Sequence, residues 1–381
     1  MANTLTNLIP DLYSSLDVVS RELVGFIPAV TLDAQTARAA VGQTVRSVVA
    51  PAASASDITP GVTPPNDGDQ TLGNVSLAIT KARRVPIRWN GEEEAGVGPG
   101  AAAIRAMQIQ QAMRTLVNEI EADLAGLHIA ASRAAGTAGT TPFGTANDYT
   151  GASLARKVLA DNGSPMSDLQ LVIDTTAGAN IRGKQAAAAD AGTDSILRQG
   201  VLLDINGMMV RESGQVVTFT KGTNSGSTTN AAGYAVGATV ITLAVAGTGT
   251  HLAGDVITFA GDTNQYVVAS GDADVSNGGT ITLAAPGLRK AIPAAATAIT
   301  TVATSSRNMA FHRGALVLAQ RLPNLPQGGD LAVDRTTITD PRSGLSFEVA
   351  MYPQYRQMQY EISCAWGVKC VKPENVALLL G

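Results

Sequence analysis

Few residues in this chain have the type and spacing to do chemistry, and they are scattered. Gly178-Ala-Asn-Ile-Arg-Gly183-Lys184-Gln185 follows an apolar run at 169–173. It nearly matches the glycine-rich loop that cradles nucleotide phosphates. The match fails at Gln185, where a hydroxyl is needed for Mg²⁺, so a strand-to-helix turn with a coincidental lysine is the better reading. Gly96-Val-Gly98-Pro-Gly100 resembles a dinucleotide loop, but Ala101 breaks the third-glycine spacing and Pro99 removes an N–H, which favours a flexible hinge. His128, His251 and His312 lie far apart, none at metal-ligand spacing from a cysteine or carboxylate, and His128 beside Leu127 reads as a packed or surface histidine. Glu92-Glu93-Glu94 reads as a solvated face or a polar contact between subunits. Asp67/Asp69 and Asp272/Asp274 offer too few ligands for a dedicated Ca²⁺ site. There is no G-x-S-x-G elbow and no supported Cys–His pair. The expectation is a chain without catalytic residues, cofactor or metal, with nucleotide chemistry at 178–185 the weakest alternative.

With so little chemistry to position, the long elements carry the reading. Pro99 to Ala135 reads as one helix, with Ile109, Met113, Leu116, Ile120, Leu124, Leu127 and Ala131 in steps of three or four along one face. Arg105, Gln108, Gln111, Thr115, Glu119 and Asp123 lie largely off that stripe. Gly126 is the interior breaker, at a cost of about 1 kcal/mol against alanine. Roughly 35 residues at 1.5 Å each would make a beam about 50 Å long. Its natural partner is the end of the chain, where Met358, Tyr360, Ile362, Cys364, Trp366, Val368 and Cys370 alternate with smaller or polar residues. Leu345, Phe347, Val349 and Met351 alternate likewise, and Tyr352-Pro353-Gln354 can turn the chain between them. This predicts a long antiparallel hairpin with one buried face, covered by the helix. Cys364 and Cys370 would then lie about 20 Å apart on one strand, too far to bond to each other.

The remaining chain divides by composition. Residues 1–46 read as an N-terminal arm with a short amphipathic stretch at Asp11–Gly25. Residues 47–98 read either as an extended β-arm or as an ordinary surface hairpin, loop chemistry first, then alternation at Val75, Leu77, Ile79, Val85, Ile87 and Trp89 around Lys81, Arg83 and Arg84. The helix takes 99–136. A mixed α/β unit occupies 137–219 and resumes at 306–343, with helical and mixed character at Asn308 to Leu322. Between them 220–305 is almost free of charge apart from Asp, and offers strands at 238–245, 255–259, 265–269, 280–284 and 298–302. That spacing suggests an inserted barrel or sandwich. The hairpin and C-terminal residues fill 344–381. The fold class is α+β.

Composition bounds the function. The chain has 381 residues, 45% hydrophobic but only 4% aromatic, so Ala, Val, Leu and Ile must fill the core. A formal net charge of −4 without a basic, aromatic-interleaved stripe argues against a dedicated nucleic-acid reader. No apolar run is long enough for a bilayer, and the first residues lack a signal-peptide pattern, so the expected place is the cytosol in which the chain is made.

The order of these parts resembles the major capsid protein of tailed bacteriophages, the Hong Kong 97-type fold, and especially the short-tailed-phage coat proteins with an inserted β-barrel. The residues carrying the likeness are Val75–Trp89, Ala101–Ala135, Gly207-Met-Met-Val-Arg-Glu-Ser213 and Leu252–Gly261. Asn308-Met-Ala-Phe-His-Arg-Gly-Ala-Leu316 and Trp366-Gly-Val-Lys with Lys372-Pro-Glu-Asn-Val376 complete it. The resemblance implies a spine helix and hairpin in a peripheral domain and an axial domain at 137–219 and 306–343. It implies hexamers and pentamers of this chain, closing an icosahedral head around double-stranded DNA held non-specifically. A scaffolding protein and a portal are the implied partners, with no membrane, assembly in the host cytoplasm and a final place in the virion. The covalent cross-linking of some relatives does not carry over, since Lys81 is the only lysine on the loop and no motif marks its acceptor. A tail or surface fibre protein is the structural alternative.

Overall fold

The computed structural model describes residues 24–49, 55–65, 68–69, 73–145, 148–184, 204–339 and 343–381. The amphipathic stretch expected at 11–25, Asp67 and Gln185 therefore lie wholly or largely outside the described residues. In chain order, strands β1 (Thr31–Ala39), β2 (Thr44–Val49), β3 (Gly73–Ala78) and β4 (Lys81–Asn90) precede helices α1 (Gly91–Val97) and α2 (Ala101–Ala125). Then come β5 (Arg133–Ala135), α3 (Thr150–Asp161), β6 (Leu169–Ile173), α4 (Thr175–Lys184), β7 (Met208–Glu212) and β8 (Thr218–Phe219). A run of strands follows: β9 (Val240–Leu243), β10 (Val256–Phe259), β11 (Gln265–Ser270), β12 (Gly279–Leu283) and β13 (Ile299–Thr301). The chain finishes with β14 (Ser305–His312), β15 (Leu316–Pro323), β16 (Asp334–Thr339), β17 (Ser346–Gln354), β18 (Gln357–Cys370) and β19 (Val376–Leu380).

The long helix is shorter than its sequence pattern suggests. Gly98-Pro99-Gly100 forms a 3₁₀ turn, so α2 starts at Ala101, and Gly126 caps it by giving its N–H to the Ala122 and Leu124 carbonyls. Its 25 residues span about 37 Å. The chain then tightens through a 3₁₀ turn at Gly126–Ala130, and residues 133–135 become strand because β5 fills a place between β11 and β19. Tertiary pairing overrides local helix propensity there. Met113, Leu116, Ile120 and Leu124 are buried as the stripe requires.

A six-stranded sheet runs β1-β15-β18-β17-β16, with β4 also paired to β18. The hairpin turns at Tyr355-Arg356, since Gln354 pairs with Gln357, and Arg356 adopts φ +56°. The turn thus comes later than Tyr352-Pro353-Gln354, whose residues are all still paired in β17. Trp366, Ile362 and Cys364 share one core with α2. Burial is nonetheless continuous from Ile362 to Gly367, because Ala365 on the reverse face packs with Leu77, Ile79, Ala39 and Ala319. The expectation of a single buried face fails over that stretch. Residues 75–89 are also not one strand. The chain breaks at Ile79–Thr80, β3 pairs with β2 as a separate ribbon, and β4 joins the main sheet.

The second sheet has eleven strands, ordered β13-β10-β11-β5-β19-β14-β6-β7, with β12 attached to β11, β9 to β12 and β8 to β14. Residues 305–323 are two strands rather than the helical or mixed segment expected. Helix α3 buries Ala152, Ala155, Val158 and Leu159 against Leu169, Leu171, Ile173 and Leu379. A separate core gathers Ile241, Ile257, Phe259, Tyr266, Val268 and Ile281, all from 238–299.

Candidate assembly surfaces

The spine helix is fastened to the sheet by polar groups along the edge of its apolar stripe. Asp123 sits in the last turn of α2 and accepts from Trp366 Nε1 at 2.8 Å and from Lys81 Nζ at 2.8 Å. One turn back, Glu119 accepts from Lys81 at 3.2 Å and Arg83 Nε at 3.1 Å. These bonds, Asp123 foremost, hold the Lys81 ammonium above its usual pKa and commit it to its own chain. Further along, Trp89 donates to Gln108 at 2.7 Å, and Arg105 pairs with Glu94 at 2.6 Å beside the Tyr360 ring. Helix, β4 and hairpin are therefore one stiff body.

The arm projects from that body. Its root is wedged into the sheet: Thr80 N donates to the Trp366 carbonyl at 3.0 Å and Lys369 Nζ to the Ser76 carbonyl at 2.8 Å. Gly367 has no side chain because a Cβ there would strike the Ala78 carbonyl oxygen. Beyond the root, none of residues 73–76 of β3 is buried, and the Pro-rich loop at 55–65 is exposed throughout. Ile58 is 98% exposed and Val62 fully so. These two bulky aliphatic side chains are buried against nothing among the described residues. At the far end of the hairpin, an open cleft of about 730 Å³ lies between Trp89, Asn90, Glu92, Tyr355 and Met358.

A third feature is the joint where the N-terminal segment enters. Glu121, buried at the end of the spine, accepts from the backbone N–H groups of Gly25 (2.5 Å), Phe26 (2.6 Å) and Ile27 (3.0 Å), and from Ser213 Oγ (2.9 Å). Burial pushes its carboxyl above the ordinary value, against the pull of those four donors. Gly25 is confined as well, because a Cβ would meet the Glu212 carbonyl oxygen at 2.7 Å. One side chain thus links α2, the strand region after β7 and the entering chain. The sequence offered only Glu121's position beside Ile120 on the apolar stripe.

The residues that sequence reading singled out for chemistry are not brought together. Residues 178–184 lie within α4, not in a loop, and the Glu212 carboxylate, paired with Arg182, fills the space over Gly178, where a Cβ would meet it at 2.7 Å. A carboxylate there repels a phosphate. Gly96 and Val97 end α1, and Gly98-Pro-Gly100 forms the turn into α2. Glu93 closes a capping box with Asn90 and is buried, so the Glu92–Glu94 run is not wholly a solvated face. Asp274 caps a 3₁₀ turn, accepting from Ser276, and Asp272 accepts from the Asp274 N–H. His312 caps the turn at Gly314. His128 is buried edge-on to Phe219, and burial with the charge of Arg307 pulls its pKa down to about 4. Burial pushes both cysteine thiols up to about 12.

One constellation escaped the sequence. Ser227 Oγ lies 3.2 Å from His251 Nε2, and Asp255 Oδ2 lies 4.0 Å from Nδ1. All three are buried, and Asp255 is engaged by the N–H groups of Gly222 and Leu252. The set is sealed from solvent, so it packs the β-rich core rather than presenting a nucleophile. Among the described residues no group of three or more His, Cys, Asp or Glu could hold a metal ion, and no helix is long and apolar enough to cross a membrane.

No protein-family model matches the chain, and no curated protein matches its sequence. Among solved structures it is similar to the capsid of the cyanophage P-SCSP1u at 13% identity, over 100% of this chain and 95% of that one, with a TM-score of 0.49. Similarity to the mature capsid of bacteriophage PhiM1 is 10% identity over 95% and 89% of the two chains, TM-score 0.45. For the capsid of a native GTA particle it is 9% over 99% and 98%, TM-score 0.46.

Proposed function

We propose that this chain is the major capsid protein of a tailed bacteriophage, a structural subunit of the Hong Kong 97-type. The observation that carries the reading is the pairing of a stiff helix-on-hairpin body with a ribbon arm whose aliphatic residues, Ile58 and Val62, are exposed beyond it. A long arm is of no use to an isolated subunit, but it can bury those residues on a neighbour. Interfaces of this kind are how shell proteins gain stability without catalysis. A fibre subunit would lack the hairpin that α2 packs against.

On this reading α2 and the 344–381 hairpin form the peripheral domain, and 47–98 forms the extended loop. Residues 137–219 and 306–343 form the axial domain, and 220–305 an inserted β-domain with the separate core described above. Hexamers and pentamers close an icosahedral head around double-stranded DNA, with a scaffolding protein and a portal as partners in the host cytoplasm. The net charge of −4 suits an interior that holds DNA without gripping it. Electron microscopy of the purified chain, alone and with its scaffold, should show closed particles tens of nanometres across. Monomers or fibres under every assembly condition would overturn the reading.

A further inference from the structure

The six-stranded sheet ends in three strands that each have one neighbour among the described residues, β1, β4 and β16. An open strand edge is a template for pairing with another chain, and proteins that must not pair there block it with charge, proline or a bulge. Two of the three edges are blocked. Strand β1 has a register shift between Ala34 and Arg38, and β4 carries Arg83, Arg84 and Pro86 in mid-strand. Strand β16 has no proline and no bulge, and its charges are confined to its first two residues. Its sequence is Asp334-Arg335-Thr-Thr-Ile-Thr339, and its last four residues are β-branched strand formers.

Arg335 does not guard it, because it is ion-paired within the chain, and Asp334 stands only at the strand's first position. Arg335 pairs with Asp330 and, at 2.9 Å, with Glu348, while Asp334 accepts from the Arg335 N–H at 2.8 Å. Just before the strand, Leu331 and Val333 are 84% and 66% exposed. We infer that β16 is an interface that pairs antiparallel with β16 of a second copy across a two-fold axis, joining two sheets edge to edge.

The choice of a second copy follows from the register. A dyad through Thr336 sets Thr336 against itself, Arg335 against Thr337 and Asp334 against Ile338. A dyad through Thr337 sets Arg335 against Thr339 and Thr336 against Ile338. Neither opposes like charges, and both give threonine–threonine or threonine–isoleucine pairs of the kind that stabilise antiparallel sheets. The strand is therefore self-complementary, as an isologous two-fold contact requires. The inference rests on the shell reading only for its supply of neighbouring copies, and its test separates the two.

Of Thr336→Cys and Thr337→Cys, made singly in the full chain, the one whose residue lies on the dyad should give a covalent dimer on oxidation, because a disulfide forms only when the two Cα atoms approach within about 7 Å. Wild type controls for Cys364 and Cys370, and Arg83→Cys on the blocked β4 edge should give no dimer. Both threonines are exposed, so the double variant Thr336→Lys with Thr337→Lys should keep the fold while losing the two-fold contact, read by light scattering and electron microscopy. The inference is overturned if neither cysteine variant cross-links above wild type, if the lysine pair leaves association unchanged, or if the cross-link captures a different protein. Shells without the β16 cross-link would sink the inference and leave the capsid reading standing. A cross-linked dimer that never forms shells would do the reverse.

Discussion

Replacing Glu121 with alanine should release the entering chain from the spine. Three buried backbone donors, Gly25, Phe26 and Ile27, lose their acceptor together with Ser213 Oγ. A buried donor left without a partner costs about 1–3 kcal/mol. Three amides set a lower bound of about 3 kcal/mol, and relief of the buried charge offsets part of anything above it. Glu121→Gln should cost less, because its amide oxygen can keep the Gly25, Phe26 and Ser213 bonds made to Oε1 and only the Ile27 donor then faces an NH₂ group. The direct assay is native-state hydrogen exchange at those three amides. A loss of about 3 kcal/mol in local stability speeds their exchange roughly 100-fold. Gln111→Ala, on the exposed face of the same helix, should change exchange hardly at all. If Glu121→Ala speeds exchange at Gly25–Ile27 by less than about tenfold, the carboxylate is not what holds this joint.

Three further outcomes follow from the same contacts. His128 has a folded pKa of about 4 against 6.5 in the unfolded chain, so the stability it contributes is complete above pH 6.5 and is lost as pH falls toward 4. That loss is roughly 3 kcal/mol. Urea midpoints should drop across that window, and less steeply in His128→Phe; an equal drop in the variant refutes the assignment, and His251, shifted the same way by burial, supplies the residual slope. Gly367→Ala should push a Cβ into the Ala78 carbonyl, destabilising the root of the ribbon by about 1–3 kcal/mol and opening 44–78 to limited proteolysis. Ile58→Asp combined with Val62→Asp should leave subunit stability within about 0.5 kcal/mol of wild type, since both are exposed, yet abolish particle formation in sedimentation.

The sequence made legible whatever repeats with a regular period. The alternation from Met358 to Cys370 gave β18 almost to the residue, and five strands between 238 and 302 fell where turn residues bracket short β-branched runs. It misread segments buried on both faces. Met309-Ala-Phe311 and Leu316-Val-Leu318 are near-continuous apolar runs, which periodicity cannot tell from a buried helix. The helix stripe continues through Leu127 to Ala131, yet the last residues of that stretch are claimed by a sheet whose other strands lie far along the chain. The joint at Glu121 and the Ser227–His251–Asp255 set were invisible for the same reason. Their partners are 95 residues away in the first case and 24 in part of the second, and no local spacing encodes them.

Strand β19 lies between β5 and β14, paired parallel with the first and antiparallel with the second. A ribosome that has finished β5 must add roughly 240 further residues before β19 exists, which at 5–20 residues per second takes about 10–50 s. Throughout that interval the sheet lacks an interior strand, and the two halves of the second sheet stay unjoined. A chain that stops short of Val376 therefore leaves the edges of β5 and β14 that β19 joins without that partner. The order of synthesis makes closure of the second sheet a late event in folding.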